Sequence, residues 1–168
     1  MSQIAHWSAL VPLAWLVWLG HRGKTVPIAY WLIAAGFGIS FVADLVTLWT
    51  TWNWAVGHFY RPVQLGLFIL ATGAVFPAIL LVAISSVPFG LERPEVLVTA
   101  LGSTIVVYLT HQKLYGLSLA LYCGVGTIFY LLMSTELSTG RFMWFWYPYQ
   151  GCRLSAFGAF CWSAQRWK

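Results

Sequence analysis

Residues 40–64, SFVADLVTLWTTWNWAVGHFYRPVQ, place an acidic residue inside an apolar run and follow it with a crowded polar and aromatic turn. Asp44 is the carboxylate in the run, and Asn53, His58, Tyr60, Arg61 and Gln64 furnish the turn. A carboxylate in hydrocarbon costs roughly 2.5–3.5 kcal/mol on insertion scales, so it is expected to face a bundle interior and find a partner there. Arg61, in the connector leaving the same helix, is the first partner expected; Lys113 and His58 come next. The rest of the chain reads as apolar helix joined by short connectors.

The composition extends this reading to the whole chain. Of 168 residues, 60% are hydrophobic and 8% charged, with a mean hydropathy of +0.77. Soluble domains carry roughly 25% charged residues. The fold expected is an all-α, polytopic transmembrane helical bundle of five spans, with six as the alternative, in a single integral membrane domain. The runs place spans at about 4–19, 26–49, 63–83, 96–109 and 117–133. Arg61-Pro62 is read as opening the third span, Pro12 and Pro77 as kinks. Ala34, Gly36, Gly38 and Ser40, and further on Ala120 and Gly124, offer small-residue faces for close helix contact.

The stretch 142–162 holds Pro148, Gln150 and Arg153 in its middle, and reads as an aromatic amphipathic helix along the interface or as a sixth span. Counting basic residues favours the interface, because only Arg61 and Lys113 then oppose the basic residues on the side of the first loop. Arg22 and Lys24 follow the first run instead of preceding it, which argues against a cleaved leader. They place the N-terminus outside, and that topology with the abundant Trp suits a bacterial inner (plasma) membrane.

That topology gathers His6, His58, Arg61 and His111 near Asp44 at the outer face, the candidate binding set. Its uses are a proton or cation site, a polar head-group contact, or a structural ion pair. Arg153 with Trp144 and Trp146 forms a candidate lipid contact. Each His is isolated in sequence and no CxxC or zinc spacing occurs, so no metal, no cofactor and no catalytic residue is assigned. Ser40-xxx-Asp44 resembles the serine and aspartate of ceramidase-type intramembrane hydrolases, but the helical His-xxx-His pair of that family is absent.

Cys123, Cys152 and Cys161 read as packing residues. Net charge is +5, yet the basic residues are scattered singly, with no stripe to follow a phosphate backbone; nucleic acid is excluded as a partner. The partners expected are the lipid bilayer and a membrane protein or a second copy of the chain. The function expected is that of an accessory or interaction protein. The alternative is a small oligomeric transporter or channel using Asp44 in a polar site near the outer face.

Overall fold

The computed structural model describes residues 7–49, 54–85, 94–136 and 142–167. Within these residues the chain forms seven helices and no strand. After a 3-10 turn at Ser8–Leu10 come α1 (Val11–His21), α2 (Ile28–Trp49), α3 (Trp54–Leu70), α4 (Val75–Ser85), α5 (Pro94–Thr110), α6 (Gly116–Glu136) and α7 (Phe142–Arg166). Successive helices pack side by side, α3 also meets α5, and α7 returns to α1.

The break between α3 and α4 decides the topology. Gly73 has φ +85°, a left-handed conformation open to glycine at little cost. Its N–H bonds back to the Leu70 carbonyl at 2.9 Å, closing α3, and α4 starts two residues later. Pro77 is the third residue of α4 and Pro12 the second of α1. At both places the proline lacks an N–H that would have no intrahelical partner anyway, so neither needs to kink its helix.

Phe37 of α2 is the hub of the core. Its ring meets Phe68 of α3 at 5.3 Å, Tyr122 of α6 at 4.9 Å, and Phe157 and Phe160 of α7 at 5.0 and 5.6 Å, all edge to face. That is the favoured geometry for aromatic pairs, worth about 0.5–1.5 kcal/mol each beyond area burial. Gly36 makes the approach of α3 possible, since a Cβ there would lie 2.5 Å from the Phe68 ring.

The transmembrane reading is corrected here. Among the described residues no helix is long and apolar enough to cross a membrane. The hydrocarbon core is about 30 Å thick, which needs about 20 helical residues. α1 and α4 have 11 residues each and α3 and α5 have 17 each. The run expected to cross at 63–83 is two helices folded against each other. α2 carries Asp44 in its later turns, and α7 carries Pro148, Gln150 and Arg153 mid-length. The five-span bundle, the integral membrane localisation and the outside N-terminus that followed from it are therefore not supported.

The C-terminal stretch is corrected as well. α7 is not an interfacial tail: Ala156, Phe157, Phe160, Ser163 and Ala164 are buried. Trp15 Nε1 donates to the Cys161 carbonyl at 3.1 Å, Tyr30 Oη to that of Ser163 at 3.3 Å, and Ser118 Oγ to that of Ala156 at 2.7 Å. Helices α1, α2 and α6 all hold it by its backbone.

The two glycines of α2 separate packing from propensity. Gly36→Ala is expected to destabilise the fold by about 1–3 kcal/mol, because the buried Phe68 ring must move. Gly38→Ala meets nothing within 4 Å and should be neutral or stabilising by up to about 1 kcal/mol. Chemical denaturation of the two variants checks the difference, and equal effects would remove Gly36 as the point of closest helix approach.

Candidate functional site

Halfway along the bundle, polar side chains have been drawn into an apolar interior. Arg61, Gln64 and Arg153 are 1%, 0% and 4% exposed, and Ser40 and Gln150 are buried with them. α3 supplies Arg61 and Gln64, α7 supplies Gln150 and Arg153, and α2 supplies Ser40. Each Arg–Gln pair is separated by three residues, which on a helix places them on one face.

Gln64 is bonded through both ends of its amide. Its Oε1 accepts from Arg61 Nη1 at 2.5 Å, and its Nε2 donates to the Gly36 carbonyl at 2.7 Å and to Tyr122 Oη at 2.9 Å. One side chain thus ties α2, α3 and α6 together. The Arg61 guanidinium also lies 5.5 Å from the centre of the Tyr122 ring. A Cβ on Gly126 would collide with the same guanidinium, so the glycine of α6 makes room for a charge.

The second pair repeats the theme with less contact. Arg153 Nη2 donates to Ser40 Oγ at 3.2 Å, and Nη1 reaches Gln150 Oε1 at 3.5 Å. Its guanidinium lies 5.5 Å from the Tyr149 ring centre and 5.9 Å from that of Phe157. The Ser40 hydroxyl donates in turn to the Phe37 carbonyl at 2.6 Å. A hydroxyl so engaged holds an arginine and a helix turn, and is not poised as a nucleophile.

Burial dominates the electrostatics. Desolvation pushes the Tyr149 phenol well above its ordinary range, opposed in part by Arg153 and Arg61. It pushes the Cys123 thiol up from 9.0 to about 11, with Arg61 and Ser103 pulling the other way. Both raised groups keep protons that the unfolded chain releases. Their contribution to stability is therefore complete below the unfolded pKa and is lost as pH rises from about 9 through the folded values.

The residues singled out in the sequence fall in several places. Arg61 is not in a connector but in the third turn of α3, with Pro62 inside that helix. His58 belongs to the early turns of α3 and Asp44 to the later turns of α2; the side chains of Asp44, His58 and Trp144 lie outside the described residues, as does His6.

His111 is exposed just beyond α5, with Nδ1 2.7 Å from the Tyr108 carbonyl. That is the end of the bundle where Tyr115 Oη bonds to the Ala71 carbonyl, opposite the end holding the late turns of α2 and the early turns of α3. The reversal at Gly73 turned it over. Lys113 went with it. No group of three or more His, Cys, Asp or Glu that could hold a metal occurs among the described residues.

Arg153, expected at a lipid surface, is inside; Trp146 is half-buried, 5.9 Å from Phe129 and 6.1 Å from Tyr149. Gly124, expected on a close-packing face, is open, with nothing within 4 Å of a Cβ. Gln64, Gln150, Tyr122 and Tyr149 are the residues that sequence reasoning missed as site members. Arg61-Pro-Val-Gln64 and Gln150-Gly-Cys-Arg153 were the available signal: the same pair, at the same spacing, in opposite order.

Comparison with known proteins returns no match to any protein family, curated protein or solved structure.

Two outcomes follow from this geometry. Gln64→Leu should destabilise the fold by about 2–4 kcal/mol, because it leaves a buried guanidinium, carbonyl and hydroxyl each one bond short; Gln165→Leu, at an exposed position, should change little. Urea unfolding measures both, and a near-neutral Gln64→Leu would deny the amide its connecting role. Second, N-ethylmaleimide at pH 9 should modify Cys123 in the unfolded chain but spare it in the folded one, read by peptide mass spectrometry. Rapid modification of Cys123 in the folded chain would contradict its burial.

Proposed function

We propose that this chain works by contact and not by chemistry, as an accessory or interaction protein whose apolar helix faces pack laterally against another protein. The observation that carries the reading is an inversion of the usual distribution of polarity. All seven helices expose large apolar side chains, among them Trp18 on α1, Ile28 on α2, Val63 on α3, Phe76 on α4, Tyr108 on α5, Leu117 on α6 and Leu154 on α7. Arginine and glutamine meanwhile occupy the interior. Monomeric proteins rarely expose contiguous apolar patches beyond a few hundred Å² unless something covers them.

The interior cluster supports the same reading. Its hydrogen-bonding capacity is turned inward, joining helices to one another. A polar network of this kind fixes the register of neighbouring helices, so the outer faces are presented in one arrangement.

A photoreactive residue placed at Leu101 on α5 or at Leu117 on α6, both exposed, tests this in the cell of origin. The expected result is a small number of discrete protein adducts, lost when the neighbouring apolar residue is changed to Glu, and none from the same probe at Lys113. Adducts only with lipid, or a diffuse smear of adducts from every position, would overturn it.

A further inference from the structure

The charges of the chain are sorted between the two ends of the bundle. Helices α1, α3, α5 and α7 finish at one end, and α2, α4 and α6 start there. Contacts across that end show its turns to be neighbours: Lys24 Nζ donates to the Gln165 carbonyl, and the Tyr30 ring lies 5.4 Å from Tyr115 and 6.0 Å from Trp167. Arg22, Lys24, Lys113 and Arg166 all belong to this end. The other two arginines among the described residues, Arg61 and Arg153, are buried at mid-height. Asp44, Glu95 and Glu136 stand on helix turns at the far end, and Glu92 precedes α5 in the sequence, so the segments that build the basic end contain no acidic residue. Arg93, Arg141 and Lys168 lie outside the described residues.

Two of these cations are mounted alike. Trp18 with Arg22, and Trp162 with Arg166, are spaced four apart where α1 and α7 end side by side. The Arg22 guanidinium lies 4.6 Å from the centre of the Trp18 ring, and that of Arg166 lies 4.4 Å from Trp162. Trp15, 4.7 Å from Trp18, bonds to the Cys161 carbonyl next to Trp162, so both pairs flank one seam. The two indoles nevertheless remain 40 and 48% exposed.

We propose that the seam where α1 and α7 end docks on an anionic phospholipid surface, with Trp18 and Trp162 in the headgroup layer and Arg22, Lys24 and Arg166 on its phosphates. Cations are favoured at helix C-termini in any case, which accounts for their placement but not for an exposed indole beneath each arginine. Tryptophan favours the headgroup level of a bilayer, where its ring meets an apolar boundary and its N–H stays wet. With the seam laid along the surface, indoles and guanidiniums reach one depth. A basic residue near an anionic membrane strengthens binding by about fivefold, and several act together. Nucleic acid is a poorer match, since the cations ring a seam and form no stripe along a backbone. An acidic protein segment would answer the cations but set carboxylates against the indoles. The contact is with the face of one leaflet, because no described helix is long and apolar enough to go further.

Flotation of the purified chain with vesicles tests this. Vesicles of phosphatidylcholine with about 30% phosphatidylglycerol should bind it about 100-fold more tightly than phosphatidylcholine alone, from three cations at about fivefold each. Binding should weaken steeply as NaCl rises from about 0.1 M to about 1 M, where the screening length falls to about 3 Å. Arg22→Gln combined with Arg166→Gln should cost about 25-fold on the anionic vesicles, with helicity by circular dichroism unchanged because both side chains are exposed. Leu101→Gln, an exposed change on the flank of α5, should leave binding as it was. Equal binding to neutral vesicles, or a double arginine variant that binds like the wild type, would overturn the proposal. Displacement from the vesicles by poly-glutamate at equal charge would assign the seam to an acidic protein and overturn it too. Protein contacts on the flanks of the bundle are independent of this one: a chain that ignores vesicles can still give the discrete adducts expected from α5 and α6.

Discussion

Two guanidinium groups buried at mid-height impose the main constraint on this bundle. A charge removed from water is costly unless hydrogen bonds and neighbouring dipoles replace its hydration. Arg61 and Arg153 obtain this from a glutamine on their own helix, from Tyr122 of α6 and Ser40 of α2, and for Arg153 from Tyr149 and Phe157 of α7 as well. Those contacts require α2, α3, α6 and α7 to converge at one level. The aromatic cluster around Phe37 lies along the same helices and closes the space that the polar groups leave. Neither part is sufficient alone: the rings provide area and the amides provide register.

The architecture follows from a few local devices. Gly73 permits a reversal that hydropathy does not register, and the short α4 then covers α3. Gly36 and Gly126 each give up a side chain where another helix must come close, one for a ring and one for a cation. α7 completes the ring of helices by offering backbone carbonyls to Trp15, Tyr30 and Ser118. Each device is a matter of shape or hydrogen-bond supply, not of average hydrophobicity.

This explains what could be read from the sequence and what could not. Apolar runs of helical length marked the chain as all-helical. The same runs read as membrane spans, whereas no described helix is long and apolar enough to cross one; a hydropathy average does not register where a helix ends. Thr72-Gly73 lies in the middle of a continuous apolar stretch, so 63–83 read as one element, and the turn after α5 was assigned to the wrong end. His111 and Lys113 were displaced from Asp44 for that reason alone. Arg61 was read as a connector residue because Pro62 follows it, whereas the helix had begun at Trp54 and tolerates the proline. Gln64 and Gln150 drew no attention as site members because an uncharged amide has no sequence signature of burial. Their shared spacing from an arginine was the one clue.

The choice of glutamine as one partner of each arginine has a further effect. An amide neither gains nor loses a proton across the range in which carboxylates and imidazoles titrate. The Arg61–Gln64 and Arg153–Gln150 bonds therefore do not themselves titrate between mildly acidic and neutral pH.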